Sequence, residues 1–262
     1  MQREGVDYST VTEGGSGDKG SRAQLSRAYS RYRFAAEFCK DRDVLEVACG
    51  IGQGLGLLAK DARRVVGLDV DESNVARARR TYAGRARIEV VSGDAGNLAF
   101  AAKTFDVVVL YEAIYYLPHP DRFVSEAYRV LRPNGVLLIC TANKDLPDFN
   151  PGAFTHKYFG PGELAALMDD AGFDVTLFGG GPIRDNRRAR AVRALKAIAA
   201  RLRLIPTSMR GKELLKRVVF GRLVEMPSEL AEGLVEYERP EPIPTGPALR
   251  HLVVFAVGNR RE

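Results

Sequence analysis

The chain has 262 residues, 45% of them hydrophobic and 27% charged, with a formal net charge of +6. That length and composition suit one globular core with an insertion, and no apolar run reaches the eighteen or so residues of a membrane span, which argues against both a disordered chain and a membrane-spanning one. Three cysteines without CxxC spacing argue against a disulfide framework or a structural zinc site, so Cys39, Cys49 and Cys140 are expected as small buried residues and no metal is expected.

Residues 1–20 are polar and rich in Gly and Ser, without a signal-peptide core, and are expected to form a flexible lead-in on a cytoplasmic protein. Ser21 to Lys40 has helix-forming composition, with Tyr29, Arg33 and Ala36 or Glu37 recurring on one face. Strands are then expected near 43–48, 64–69, 87–91, 105–111, 135–142 and 174–178, and a last one over 249–257. Helices are expected near 53–60, 73–82, 121–131 and 161–171. Short strands rich in Val, Ile and Leu alternating with helices predict an α/β fold whose parallel sheet is covered on both faces.

Residues 179–248 break this regularity, opening on Gly179-Gly180-Gly181-Pro182 and closing on Pro240, Pro242, Pro244 and Pro247. The expected organisation is a main domain of 21–178 plus 249–262, with 179–248 as an inserted basic helical cap or lid. Residues 183–222 hold thirteen Lys and Arg against Asp185 and Glu213, a local net of +11 that leaves −5 elsewhere. Val192, Leu195, Ile198 and Leu202 form an apolar stripe there, which suits a helix packed on the domain, a homodimer interface or a peripheral contact with an anionic membrane surface. No aromatic residue occurs between Ile183 and Val219, so a single-stranded nucleic-acid platform is not expected.

The chemistry concentrates in DVLEVACGIGQGLG, Asp43 to Gly56. An apolar strand ends in small residues, where the backbone can be approached closely and the first helical amides favour electronegative groups. Glycines fall at 50, 52 and 54, and the third position of a dinucleotide fingerprint begun at Gly50 would be Leu55, so that fingerprint fails. Glu46 precedes the loop, Asp69 ends the second strand about twenty residues on, and Asp94 follows the third. A ligand with an ammonium, a ribose diol and an adenine amino group suits these three carboxylates, and S-adenosylmethionine is such a ligand.

Six segments in order, VLEVACGIGQG, VVGLDVDESNVARAR, VVSGDAGNLAF, TFDVVVLYEAIYYL, FVSEAYRVLRPNGVLLIC and HKYFGPGELAALMDDAGF, resemble the class I S-adenosylmethionine-dependent methyltransferases over nearly all of Ala23 to Gly258. RYRFAAE further resembles a subgroup that methylates glycans and natural products. The resemblance implies a Rossmann-like seven-stranded sheet with an antiparallel last strand and an insertion between strands six and seven. It also implies S-adenosylmethionine as cofactor and S-adenosylhomocysteine as product. Cofactor contacts then fall to Glu46, Ala48, Gly50, Gly52, Asp69, Val70, Asp94, Ala95 and Tyr111, with Tyr29 and Arg33 over the carboxylate end.

Two positions depart from the family pattern. Ala48 stands where relatives carry the first loop glycine. Tyr115-Tyr116-Leu117 replaces a frequent Glu-His-Leu, so the proton-transfer role of that histidine does not carry over. Tyr115 and Tyr116 become candidates to stack on or orient the acceptor, and His156 in FTHKYF the candidate base, while His119 suits a turn and His251 a structural strand position. The expected reaction is methylation of a hydroxyl on a small molecule or glycan. N-methylation of an amino sugar or amine, RNA methylation, and cofactor binding without catalysis are the alternatives.

Overall fold

A computed structural model describes residues 19–152, 154–183 and 223–262. Strand β1 (Lys19–Ser21) leads into helix α1 (Arg22–Ala36), which Ser21 starts through a capping box with Gln24. There follow β2 (Asp43–Val47), the single-turn α2 (Leu55–Leu58), β3 (Arg64–Asp69), α3 (Glu72–Thr81), β4 (Ile88–Ser92) and β5 (Phe105–Tyr111). A 3-10 turn at Ile114–Tyr116 precedes α4 (Pro120–Val130), β6 (Leu131–Ala142), α5 (Pro161–Asp170) and β7 (Phe173–Pro182). From residue 223 onward come β8 (Leu223–Glu225), β9 (Glu241–Pro242) and β10 (His251–Arg260).

The main sheet runs β4-β3-β2-β5-β6-β10-β7-β9. The strands from β4 to β6 are parallel, and β10 lies antiparallel between β6 and β7, the arrangement expected of the last strand. Two details depart from the expectation. The two-residue β9 adds an eighth strand to the predicted seven, and β1 with β8 forms a separate two-stranded sheet. The order turns around between β2 and β5, so the carboxyl ends of those strands open the crevice in which such sheets bind ligands.

Alternation along β5 explains the two-sided core. Val108 and Leu110 face a cluster with Phe123 and Ala127 of α4 and Leu164 and Met168 of α5. Val107, Val109 and Tyr111 face Phe34 of α1, Leu55 and Leu58 of α2 and Val75 of α3. Each fully buried large side chain contributes on the order of 1.5–3 kcal/mol, which places most of the fold's stability in these two layers. Cys39, Cys49 and Cys140 are buried free thiols in the second layer.

Pairing extends β7 past the predicted 178, because Gly179 and Gly180 lie opposite Val254 and Val253 of β10. A side chain at Gly179 would overlap the His251 ring, so glycine is what lets the strand continue. The cationic helix expected within 183–222, including Val192, Leu195 and Arg187, lies outside the described residues. Residues 223–239 are described, and they run over α1 and the glycine loop. Leu230 N–H donates to Gln53 O at 2.8 Å, Gln53 Nε2 donates to Pro227 O at 2.8 Å, and Gly233 N–H donates to Tyr29 Oη at 3.0 Å. Among the described residues no helix is long and apolar enough to cross a membrane.

Candidate active site

The loop after β2 is shaped by three residues with positive φ, Ala48 (56°), Gly50 (56°) and Gly52 (79°). Ala48 therefore carries the left-handed strain that a glycine would avoid, a cost of about 1–3 kcal/mol. Cys49 N–H donates to Leu68 O at 3.0 Å, and Gly50 N–H to Asp69 Oδ2 at 2.7 Å. The other oxygen, Asp69 Oδ1, accepts from Asp71 N–H at 2.9 Å. Asp69 thus bridges the loop to the end of β3. Burial pushes its carboxyl above the usual range, against the pull of these two amides.

Beneath the loop lies Glu46, 1% exposed. Burial pushes its carboxyl up to about 8, with the neighbouring Asp69 charge adding to the shift and the Tyr32 hydrogen bond opposing it. Tyr32 Oη donates to Glu46 Oε1 at 2.5 Å. Glu46 Oε2 is buried with no partner among the described residues, and so is the Tyr111 hydroxyl, whose ring stands edge-on to Tyr32 at 5.8 Å. Buried polar atoms without partners are costly, so two of them at one strand-end crevice mark a place built for a polar guest.

The second half of the site follows β5. Glu112 has φ 52°, held by its N–H donating to Cys140 O at 2.8 Å. Its Oε1 accepts from Arg31 Nη1 at 2.8 Å, and its Oε2 from Tyr115 Oη at 2.9 Å. The Tyr115 ring stacks on Tyr158 at 4.6 Å and meets Tyr116 at 4.6 Å, and Phe149 closes on Tyr158 at 4.7 Å. His156 is exposed, and its N–H donates to Tyr115 O at 2.7 Å. The predicted acceptor-side residues Tyr115, Tyr116 and His156 are thereby brought to one wall.

Other predicted site residues are placed differently. Tyr29 packs among Leu25, Ala28, Leu57, Met226 and Leu230, and Arg33 lies over the Tyr237 ring at 5.5 Å, so both meet the 223–239 segment. The α1 residues that meet the strand ends are instead Arg31 and Tyr32. Asp94 is exposed and accepts from Gly96 N–H at 2.8 Å, Ala95 is buried, and Val70 is 39% exposed at the rim. His119 precedes α4 without capping it, and His251 Nε2 lies 2.7 Å from Glu241 Oε1. Arg31, Tyr32 and Glu112 were not foreseen. Gly54 has an ordinary φ of −92°, so what its lack of a side chain serves is a close neighbour, the Tyr32 ring.

The profile of a methyltransferase-domain family matches residues 45–139, which run from β2 through β6. A Mycolicibacterium smegmatis protein named "Probable S-adenosylmethionine-dependent methyltransferase" is 41% identical over 150 residues, 55% of this chain and 56% of that protein. Over residues 45–139 the chain thus carries a methyltransferase domain of the S-adenosylmethionine-dependent kind. A fatty-acid O-methyltransferase of the same organism is 41% identical to this chain over 112 residues, 40% of each protein. Among solved structures, a Thermotoga maritima S-adenosylmethionine-dependent methyltransferase shares the fold with a TM-score of 0.59 at 17% identity, covering 90% of this chain and 91% of that one. The match spans little more than half the length of the first of these curated relatives.

S-adenosylmethionine is the cofactor of the superfamily, and the residues present fit it. The unpartnered Glu46 Oε2 and Tyr111 hydroxyl suit a cationic ammonium, and the positive-φ turn at Gly50 puts no side chain in the way of close approach, while Gly52 makes room for Leu55, Ala78 and Tyr82. When bound, the cofactor would supply a sulfonium methyl carbon open to in-line attack by an acceptor lone pair, with S-adenosylhomocysteine as the leaving thioether. This chain's residues then have to orient the acceptor and exclude water.

Proposed function

We propose that the protein methylates a hydroxyl group on an apolar small molecule, using S-adenosylmethionine. The observation that carries this reading is the aromatic wall in which Tyr115 and Tyr116, directly after β5, meet Tyr158 and Phe149 from the loop after β6, with Tyr115 linked through Glu112 to the helix that covers the cofactor end. In this reading Glu46, Tyr111, Ala48, Gly50 and Gly52 hold the methionine end, Asp69 the ribose, and Val70, Asp94 and Ala95 the adenine. Tyr115 and Tyr116 orient the acceptor, and His156 takes its proton.

Two points favour an apolar acceptor over a glycan. The wall is built of four aromatic rings packed on one another, and Phe154, 54% exposed with φ 64°, is on the same loop as His156. The relative named for fatty-acid O-methylation adds support for a lipid-like acceptor. The cationic 183–222 segment suits approach to an anionic lipid surface. The test is incubation with isotopically labelled S-adenosylmethionine and a panel of long-chain alcohols, phenols, fatty acids, amines and sugars. Label in an ether of an alcohol or phenol supports the reading, whereas label confined to amines, sugars or fatty-acid esters overturns it.

A further inference from the structure

We infer that Glu112 and Tyr115 form the specificity element of the acceptor site, admitting a group that still carries its proton and rejecting a carboxylate. The inference rests on the reading above and narrows its substrate class, since an apolar acceptor could offer either an alcohol or an acid.

The argument is one of hydrogen-bond direction. A tyrosine hydroxyl has one proton to give and lone pairs to receive. Tyr115 gives its proton to Glu112 Oε2, and Glu112 is itself fixed by Arg31 on Oε1 and by its own N–H on Cys140 O. The Tyr115 oxygen can therefore only accept from a third group. An alcohol, a phenol or a protonated amine has a proton to give it. A carboxylate has none at neutral pH, and it would add a second negative charge beside Glu112.

The nearby cations do not reverse this preference. Arg31 is ion-paired with Glu112 at 2.8 Å, and its side chain is only 14% exposed. Lys157 lies over the Phe159 ring at 4.9 Å and 4.0 Å from Glu163. Glu112 acts through Tyr115 and is a positioning residue, whereas Tyr115 is the group that would touch the acceptor. The left-handed backbone at Glu112 is consistent with a side chain held for a purpose, because such strain persists only where the surroundings enforce it.

The test uses the full chain saturated with S-adenosylhomocysteine, with 1-decanol and decanoate as probes, read by calorimetric titration at pH 7.5. Decanol should bind about tenfold more tightly than decanoate, the worth of one well-placed hydrogen bond. In Glu112→Gln the Tyr115 proton no longer faces a fixed charge, so decanoate should gain and the ratio should fall to about threefold or less. Tyr115→Phe should weaken decanol and leave decanoate unchanged, and it carries the test alone if the Gln variant does not fold. Equal or tighter binding of decanoate by the unmodified protein, binding of neither probe, or an unchanged ratio in both variants overturns the inference. Failure to bind S-adenosylhomocysteine at all would bring down the methyltransferase reading first, so the two failures are distinguishable.

Discussion

Tyr32 is wedged between Gly54 and Glu46: its hydroxyl donates to the buried carboxyl at 2.5 Å, while its ring occupies the space that a side chain at Gly54 would need. One α1 residue therefore ties together the acid under the cofactor loop and the start of α2.

Gly54→Ala should consequently destabilise the fold by about 1–3 kcal/mol through steric overlap alone, since the backbone there is ordinary for alanine. Adding Tyr32→Ala should remove the overlap, so the double variant should lose at least ~1 kcal/mol less than the sum of the single losses. Urea denaturation of the four proteins measures this. Strict additivity would mean that the ring and the loop do not touch in solution.

Glu46 gives a pH dependence of defined sign. Its carboxyl titrates near 8 in the fold against an ordinary value of 4.5, so between those values the folded state holds more protons than the unfolded state. Stability from this group is greatest below pH 4.5, falls as pH rises toward 8, and levels off above that. Asp69, also raised by burial, adds to the same trend. Glu46→Gln should flatten the fall in melting temperature between pH 5 and 8. If the unpartnered Oε2 receives the cofactor ammonium, binding favours the ionised form and releases a proton. Calorimetry at pH 7 in buffers of different ionisation enthalpy should then show proton release on cofactor binding in the wild type and none in Glu46→Gln.

The main-sheet strands other than β9 were legible because apolar runs and Gly-rich turns are local signals, and the same holds for the glycine loop and Asp69, whereas the antiparallel place of the last strand followed only from the family resemblance. The face of α1 was not. That helix is buried on two sides, with Leu25, Ala28 and Tyr29 against Met226 and Leu230 and with Phe34 and Ala35 against the sheet, so its apolar spacing singles out no one face. Glu112 was missed because a left-handed turn at a non-glycine residue leaves no mark in composition. Residues 223–239, within the expected 179–248 insertion, reach Gln53 and Tyr29 from 174 and 204 residues away, a pairing that no local pattern encodes.

That segment leads to a prediction about what holds the cofactor loop. Gln53 uses both its side chain and its carbonyl on residues 227 and 230, whereas Arg85 pairs bidentately with Glu229 at the surface. Losing the part-buried Gln53 bond leaves Pro227 O without its donor, so Gln53→Ala should cost about 1–3 kcal/mol. Arg85→Ala should cost about 1 kcal/mol or less, because its head is half exposed and screened by solvent. Denaturant midpoints decide the order, and equal losses would show that the surface pair anchors the segment as firmly as Gln53 does.

His156 offers the sharpest separation of a chemical role from a structural one. Its link to Tyr115 runs through the backbone N–H, so His156→Asn leaves that bond in place and removes only the imidazole. A general base contributes on the order of 10²–10⁴ in rate, and its loss should lower kcat by that factor, abolish the acid limb of the pH–rate profile, and leave cofactor affinity unchanged. A ring that merely fills the rim would leave kcat within a few fold of the wild type. In that case alignment along the Tyr115 wall would have to supply the rate, because methyl transfer needs the nucleophile positioned more than it needs a base. The measurement is single-turnover methylation of the acceptor found in the labelling panel, followed from pH 5.5 to 9 for both proteins. Unchanged profiles would remove His156 from the chemistry.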